Sequence, residues 1–149
     1  MDGYGRRLTL DLSFDAALAE LTTALADQRL TILGQLDVHE YLERTVHHDC
    51  RRYALLCVTA PHVVLEALRL DVGIGPLLVT TIAVFELADG ETAVSVSEPL
   101  GGLASNVSWR HACRDLAALA DRACDQLARA LSDLEAAART RVYLRAVAT

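Results

Sequence analysis

Residues 77–97 read LLVTTIAVFELADGETAVSVS, and this stretch decides the fold. Two segments rich in valine, isoleucine and threonine, Leu77 to Leu87 and Thr92 to Ser97, flank the short link Ala88-Asp89-Gly90. Branched side chains favour strands, and a short link that contains glycine favours a tight turn between antiparallel strands. The stretch therefore predicts a β-hairpin.

Three more strands are predicted before the hairpin. Apolar residues alternate with polar ones from Leu8 to Leu12, recur from Leu30 to Leu36, and run almost unbroken from Tyr53 to Val58. A helical pattern of apolar residues follows each of these segments. The chain therefore alternates strand and helix three times before it reaches the hairpin.

The three connecting helices have recognisable starts. Ser13 offers an N-cap hydroxyl, Asp37 with Glu40 resembles a capping box, and Pro61 fits the first turn of a helix. The second of these helices is predicted to be short and to end near Val46.

A long helix is predicted from about Ser108 to Val142, because this stretch contains neither glycine nor proline. It would be roughly 50 Å long, whereas a compact domain of this size is roughly 40 Å across. The order βαβαβαββα predicts an α+β fold: a mostly antiparallel sheet with helices packed chiefly on one face and a long C-terminal helix, in a single domain of residues 1–149. We expect a homodimer, because the helix outruns the domain and the sheet needs a covered edge.

Composition and charge exclude several classes of function. A net charge of -6 repels phosphate backbones, so no nucleic-acid partner is expected. All 14 basic residues are arginines, which excludes Schiff-base chemistry on a lysine and a phosphate-loop lysine. The longest uncharged run, Val72 to Phe85, is too short and too broken to span a membrane. The first residues contain no continuous apolar signal segment, and we expect a cytoplasmic protein.

The cysteines give no metal or disulfide signature. Cys50, Cys57, Cys113 and Cys124 form no CxxC pair, and we expect reduced, buried thiols. The run His47-His48-Asp49-Cys50 is interpreted as a solvated loop rather than a zinc site, because neighbouring loop residues rarely converge on one ion. We expect no metal and no cofactor.

Two short motifs resemble signatures of the domain of unknown function 302 family. Leu55 to Pro61 reads LLCVTAP, followed by Ala67-Leu68, where the family has ILGACNP and a helix that ends in Ala-Leu. Gly75 to Thr81 reads GPLLVTT where the family has GLLLPCN, and Glu98-Pro99 replaces an Asp-Pro pair. The resemblance covers roughly Leu8 to Leu134. It implies a small α+β domain that dimerises by means of its sheet, and it implies no biochemical activity.

The departures from the family pattern indicate a candidate ligand site. Thr59 and Thr80 stand where the family has cysteines, and Ala60 and Thr81 stand where it has asparagines. If the two motifs converge at adjacent strand ends, the threonine hydroxyls can hydrogen-bond a carbonyl of a small organic ligand. The alternative is that these are branched strand residues whose hydroxyls are satisfied by the backbone.

Four further residues are candidates for this site. His62 lies in the first turn of a helix, where the positive end of the helix dipole favours a neutral imidazole. His62 and Glu98 are the candidate catalytic groups, and Trp109 and His111 are candidates for the mouth of the site. The alternatives are an exposed first-turn histidine and a tryptophan that covers a core or an interface.

Two functions from different classes follow from this pattern. The first is a domain that binds a small apolar organic molecule without catalysis. The alternative is a cofactor-independent enzyme of a biosynthetic pathway, of the isomerase or cyclase type, with a cleft lined by His62 and the threonines. An enzyme needs a titratable group inside an enclosed apolar cleft, whereas a binding domain needs only the cleft.

Overall fold

The structure is a computed structural model that describes residues 6–101 and 113–148. Its elements follow the predicted order, with one additional 3₁₀ turn before the hairpin. The strands are β1 Arg6–Leu10, β2 Thr31–Asp37, β3 Tyr53–Thr59, β4 Thr80–Ala88 and β5 Glu91–Val96; the helices are α1 Phe14–Asp27, α2 Val38–Val46, α3 Pro61–Leu70 and α4 Arg114–Val147; the 3₁₀ turn is Val72–Leu77.

The five strands form one antiparallel sheet in the order β1-β5-β4-β3-β2. The predicted hairpin is confirmed, because Ala88 pairs with Glu91 across the turn Asp89-Gly90. Gly90 has a φ of 81°, which glycine adopts without strain. The α+β fold class predicted from the sequence is therefore confirmed.

The two faces of the sheet have different surroundings. On the covered face, side chains such as Leu56, Ile82 and Val84 are buried in the hydrophobic core beneath the helices. On the open face, the alternate residues of the same strands, such as Tyr53 and Phe85, are only partly buried. Because side chains alternate across a strand, each strand contributes to both surroundings.

Helices α1, α3 and α4 supply apolar residues to the core on the covered face. α1 begins as predicted, because Ser13 Oγ accepts a hydrogen bond from the Ala16 N–H at 3.4 Å. α1 and α3 both pack against α4. The ion pair between Glu66 of α3 and Arg122 of α4 joins two helices that lie far apart in sequence, with N and O atoms 2.6 Å apart.

The long C-terminal helix α4 has 34 residues and is about 51 Å long at about 1.5 Å per residue. Its buried residues end at Ala138, and Tyr143 and Leu144 beyond that point are exposed. The helix runs past the predicted end at Val142, while its predicted start at Ser108 lies outside the described residues. Among the described helices, none is long and apolar enough to cross a membrane.

Two local predictions about element boundaries are wrong. The strand predicted from Leu77 begins at Thr80, because Pro76 lies in the 3₁₀ turn, which Asp71 opens by accepting the Gly73 N–H at 2.8 Å. Asp37 does precede α2, but its carboxylate does not cap that helix and accepts the Gln35 side-chain amide at 2.8 Å instead.

The prediction of buried cysteines is also wrong. All four thiols are free, but Cys57 is exposed on the open face and Cys50, Cys113 and Cys124 are only partly buried. Cys57 is exposed because it alternates with the buried Leu56 and Val58 along β3. A strand residue between two core positions faces the opposite side of the sheet.

Helix α2 differs from the other three because it contains no buried residue. Its contact with β3 includes His39, whose Nδ1 accepts a hydrogen bond from the Tyr53 N–H at 3.4 Å. The helix ends at His47, which has a left-handed backbone with a φ of 52°. α2 is therefore attached to the sheet without contributing to the core.

Candidate functional site

A small cavity lies where β3 and β4 meet α3 and α4. Its volume is about 20 Å³, roughly the space of one water molecule. Nine apolar residues and two threonines line it: Leu30, Val58, Thr59, Ala60, Val63, Leu78, Thr80, Pro99, Leu100, Ala123 and Leu127. We call this space the Thr59–Thr80 cavity.

Strand register brings the two threonines together. Val58 of β3 pairs directly with Thr80 of β4, so the end of one strand lies beside the start of the next. Thr59 is buried at the same end, and its hydroxyl donates a hydrogen bond to the Leu78 carbonyl at 3.0 Å. This bond ties the end of β3 to the residues that lead into β4.

Pro99 and Leu100 line one side of the cavity, and Gly101 follows them in the chain. Leu100 is almost completely buried, yet its φ of 51° lies in the left-handed region that leucine rarely adopts. Gly101 has a φ of 62°, and a Cβ atom there would come within 2.7 Å of the Leu77 side chain. The backbone is thus strained where it holds Leu100 against the core.

The structure separates the predicted site residues into groups. Thr59 and Thr80 line the same cavity. His62 is exposed on α3, and Thr81 is exposed on the open face, on the opposite side of the sheet. Glu98 is exposed in a shallow surface groove of about 300 Å³ beside Pro76. Trp109 and His111 lie outside the described residues.

Two residues near the cavity, Glu66 and Cys124, have shifted pKa values, and neither lines the cavity. A hydrogen bond from Arg122 holds the pKa of the Glu66 carboxyl below its usual value, and the nearby His62 acts in the same direction. Burial raises the pKa of the Cys124 thiol, and the negative charges of Glu98 and Asp121 add to this effect. A thiol with a raised pKa is a weaker nucleophile at neutral pH.

The described lining of the cavity contains no acid or base. None of the described lining residues is titratable, and no buried side-chain polar atom in residues 6–101 or 113–148 lacks a hydrogen-bond partner. In the same ranges no three His, Cys, Asp or Glu side chains are grouped closely enough to hold a metal ion. The arrangement can therefore enclose an apolar group beside two threonines, of which Thr59 has already donated its hydroxyl hydrogen to the Leu78 carbonyl and can offer a ligand only an acceptor lone pair.

A second concavity, which the sequence analysis missed, lies on the open face. Its volume is about 420 Å³, and Arg7, Tyr53 and Phe85 form one side of it. The two rings are stacked with centroids 5.2 Å apart and planes 10° apart, and the Arg7 guanidinium lies 5.2 Å from the Phe85 centroid. These residues lie on three strands that are far apart in the sequence, so their spacing along the chain does not predict that they share a site.

The fold is a five-stranded antiparallel sheet with three helices on its covered face and a concavity on each side of the sheet. The chain belongs to the family described as Domain of unknown function DUF302, whose model matches residues 6–134. This match confirms the resemblance carried by the two signature motifs.

The fold is shared with a solved member of the same family. The chain is similar to the crystal structure of an uncharacterized conserved DUF302 protein from Bacillus stearothermophilus, with a TM-score of 0.62 and 19% sequence identity. The match covers 81% of this chain and 98% of that one. At this level of identity the likeness shows the fold alone. None of the curated proteins compared with the chain matches it.

Proposed function

We propose that this protein binds a small apolar organic molecule at the Thr59–Thr80 cavity and does not transform it. The observation that carries this proposal is the lining, which combines nine apolar residues with two threonines and, among the described residues, holds no titratable side chain. Apolar walls with a few polar groups are typical of small-molecule sites. General acid–base catalysis needs a proton donor or acceptor within hydrogen-bond reach of the ligand.

Ligand entry requires the cavity to open, because its present volume of about 20 Å³ is too small for an organic molecule. Leu100 is the residue best placed to move, since it combines a left-handed backbone with a buried side chain. Leaving that backbone conformation would release on the order of 1 kcal/mol of strain. This release offsets part of the hydrophobic free energy that is lost when a ligand displaces the buried Leu100 side chain.

Native mass spectrometry of freshly purified protein, before and after incubation with a metabolite extract, tests the proposal. We expect the wild type to retain a small organic species. Ala123→Leu fills the cavity from α4 and should abolish retention, whereas Ala118→Leu makes the same change on the exposed side of that helix and should not. Equal retention by both variants, or none by the wild type, would reject the cavity as the site.

Benzene is a defined apolar probe for the same site. Leu100→Ala truncates a side chain that lines the cavity and so enlarges it, and apolar cavities of suitable size bind benzene. We expect saturable benzene binding by Leu100→Ala, detected as NMR shifts of Ala60 and Val63, and weaker binding by the wild type. Absence of binding to the enlarged cavity would count against a ligand site there.

The alternative function is a cofactor-independent isomerase or cyclase of a biosynthetic pathway. His62 and Glu98 adjoin the lining residues Val63 and Pro99 in sequence, although both side chains are exposed. If the protein is an enzyme, metabolites in the extract should be converted, and His62→Ala should stop the conversion without unfolding the chain. Binding without conversion supports the first proposal.

We also propose that the protein is a homodimer that uses the exposed end of α4. A groove of about 600 Å³ lies between this end and the edge strand β1, with Leu10 on one side and Val142 and Tyr143 on the other. An unpaired edge strand beside exposed apolar side chains is a surface that a second copy can cover. The four free cysteines fit a reducing compartment, which supports the proposed cytoplasmic location.

Light scattering tests the dimer. We expect a mass of about twice 16.1 kDa for the wild type. Leu144→Glu places a charge on the exposed helix end and should lower the mass to that of a monomer, whereas Ser132→Glu places the same charge on an exposed position in the middle of α4. A monomeric wild type, or equal loss of mass in both variants, would contradict this interface.

A further inference from the structure

The concavity on the open face has the chemistry of an anion site with an apolar wall. We propose that it binds a small organic carboxylate. Its described lining consists of one arginine, two stacked aromatic rings, one alanine and three residues with aliphatic hydroxyls: Arg7, Tyr53, Thr81, Ala83, Phe85, Ser95 and Ser97. A volume of about 420 Å³ falls within the range of small-molecule sites. This site is separate from the Thr59–Thr80 cavity and lies on the other side of the sheet.

The wall of the site is a ladder of three planar groups across the strands. Tyr53 of β3 pairs with Phe85 of β4, and their rings stack. The next strand carries Ala93 opposite Phe85, so no large side chain stands beside the outer face of that ring. Arg7 from β1 fills this place, with its guanidinium carbon 5.2 Å from the ring centroid. The small residue Ala93 therefore allows the arginine to be held by a cation–π contact.

The opposite rim of the site is formed by hydroxyls. Thr81 lies on β4, Ser95 lies on β5 directly opposite Arg7 of β1, and Ser97 follows at the end of β5. Ser97 Oγ accepts a hydrogen bond from the Thr81 N–H at 3.0 Å. Because this contact uses an acceptor lone pair, the Ser97 O–H hydrogen is still available to donate to a ligand.

The charge of the site favours an anion. The seven described residues that line the site include one arginine and no acid, although the whole chain carries a net charge of -6. No carboxylate in residues 6–101 or 113–148 forms an ion pair with Arg7. Guanidinium groups match carboxylates in geometry, and the edges of aromatic rings carry positive partial charge. The rings also provide apolar surface for the organic part of the ligand.

The charge of Arg7 and the hydroxyls around it argue against a second copy of the chain as the occupant of the open-face concavity. Packing two open faces together would remove Arg7 and the three hydroxyls from water, and the described site contains no acid that could pair with the arginine. Burying a charge without a partner is costly. A small ligand brings its own carboxylate and leaves part of the rim hydrated.

NMR titration of ¹⁵N-labelled protein with benzoate tests the proposal, with benzamide as the neutral isostere and inorganic phosphate as the simple anion. We expect saturable shifts of the Thr81, Ala83 and Ser95 amides with benzoate only. Arg7→Gln should weaken benzoate binding about tenfold or more, the loss expected for a charge-assisted hydrogen bond. Arg6→Gln makes the same change on the neighbouring exposed residue, whose side chain alternates to the other side of β1, and should leave binding unchanged.

Several results would overturn the proposal. These are the absence of saturable benzoate shifts, equal weakening by Arg6→Gln and Arg7→Gln, and equal binding of phosphate and benzoate. Ala83→Glu introduces a negative charge into the floor of the site and should abolish benzoate binding without changing the mass measured by light scattering. A fall in mass with this variant would show that a second copy covers the open face.

Discussion

The covered and open faces of the sheet are made by alternate residues of the same strands, yet they differ in burial and in the chemistry of their side chains. Along β3, Leu56 on the covered face is fully excluded from water, while its neighbour Leu55 on the open face is only partly buried. The covered face holds aliphatic residues that pack against three helices, whereas the open face presents a stacked aromatic pair, hydroxyls and a free thiol. The hydrophobic core therefore lies on one face, whereas the side chains of the other face are partly open to water.

The largest difference between the faces is expected from two leucines. Leu56→Ala should lower the free energy of unfolding by about 2–5 kcal/mol, because it leaves a cavity in the core. Leu55→Ala makes the same change one residue away on the open face, and it should lower the free energy of unfolding clearly less. Urea unfolding measures both values. Equal losses would show that the open face is also covered in solution.

A smaller difference in the free energy of unfolding is expected when two hydroxyls of β5, one on each face, are removed. Thr92 is fully buried, and its Oγ1 donates a hydrogen bond to the Leu12 carbonyl at 2.9 Å. Thr92→Val leaves that carbonyl unpaired and should cost about 1–3 kcal/mol. Ser95→Ala on the open face should change the unfolding free energy by less than about 0.5 kcal/mol. The comparison fails if urea midpoints shift equally in the two variants.

The thiols provide a chemical comparison. Cys57 is exposed on the open face, whereas Cys124 of α4 is partly buried and has a pKa raised by burial and nearby acids. Since the thiolate is the reactive form, iodoacetamide at pH 7.5 should modify Cys57 roughly tenfold faster or more. Peptide mass spectrometry follows each site separately. Faster labelling of Cys124 would mean that α4 opens easily or that the open face is shielded.

The smallest expected effect concerns the ion pair that joins α3 to α4. The pKa of Glu66 is lowered by Arg122 from its usual value of about 4.5, so the pair stabilises the fold above that value. This contribution is lost as the pH falls through the lower pKa of the folded state. Glu66→Gln should therefore slightly lower the Tm at pH 7, and this effect should shrink progressively as the pH falls below about 4.5. A variant effect independent of pH would exclude the ion pair as its cause.

Much of the fold could be predicted because local signals agreed with it. The hairpin followed from Gly90 between two branched stretches, and the N-cap followed from Ser13 before an apolar stripe. The start of β4 was predicted too early because Leu77 and Leu78 look like strand residues, while the turn around Pro76 is fixed by its hydrogen bonds. The cysteines were predicted to be buried because their type usually is, but strand alternation decides otherwise for Cys57.

The candidate sites were less predictable because they depend on contacts between distant segments. The two motifs predict that Thr59 and Thr80 lie close together, and the register of β3 and β4 gives the physical reason. Nothing in the local sequence distinguishes the exposed His62 from an inward-facing residue of the same helical turn. The place of Arg7 beside Phe85 depends on the small Ala93 in between, which becomes evident only once β1 is known to pair with β5.

Helix α2 has a consequence for how the chain length of this domain can vary. It joins the edge strand β2 to β3 without burying a residue, so the core does not depend on its sequence or its length. In an open connection of this kind, doubling the number of residues costs only about 0.6 kcal/mol of closure entropy. Insertions between β2 and β3 should therefore be tolerated, provided that they keep the Tyr53 end of the strand in register. The same connection is a suitable place to attach a reporter group or an additional segment, provided that the contact of His39 with the Tyr53 N–H is kept.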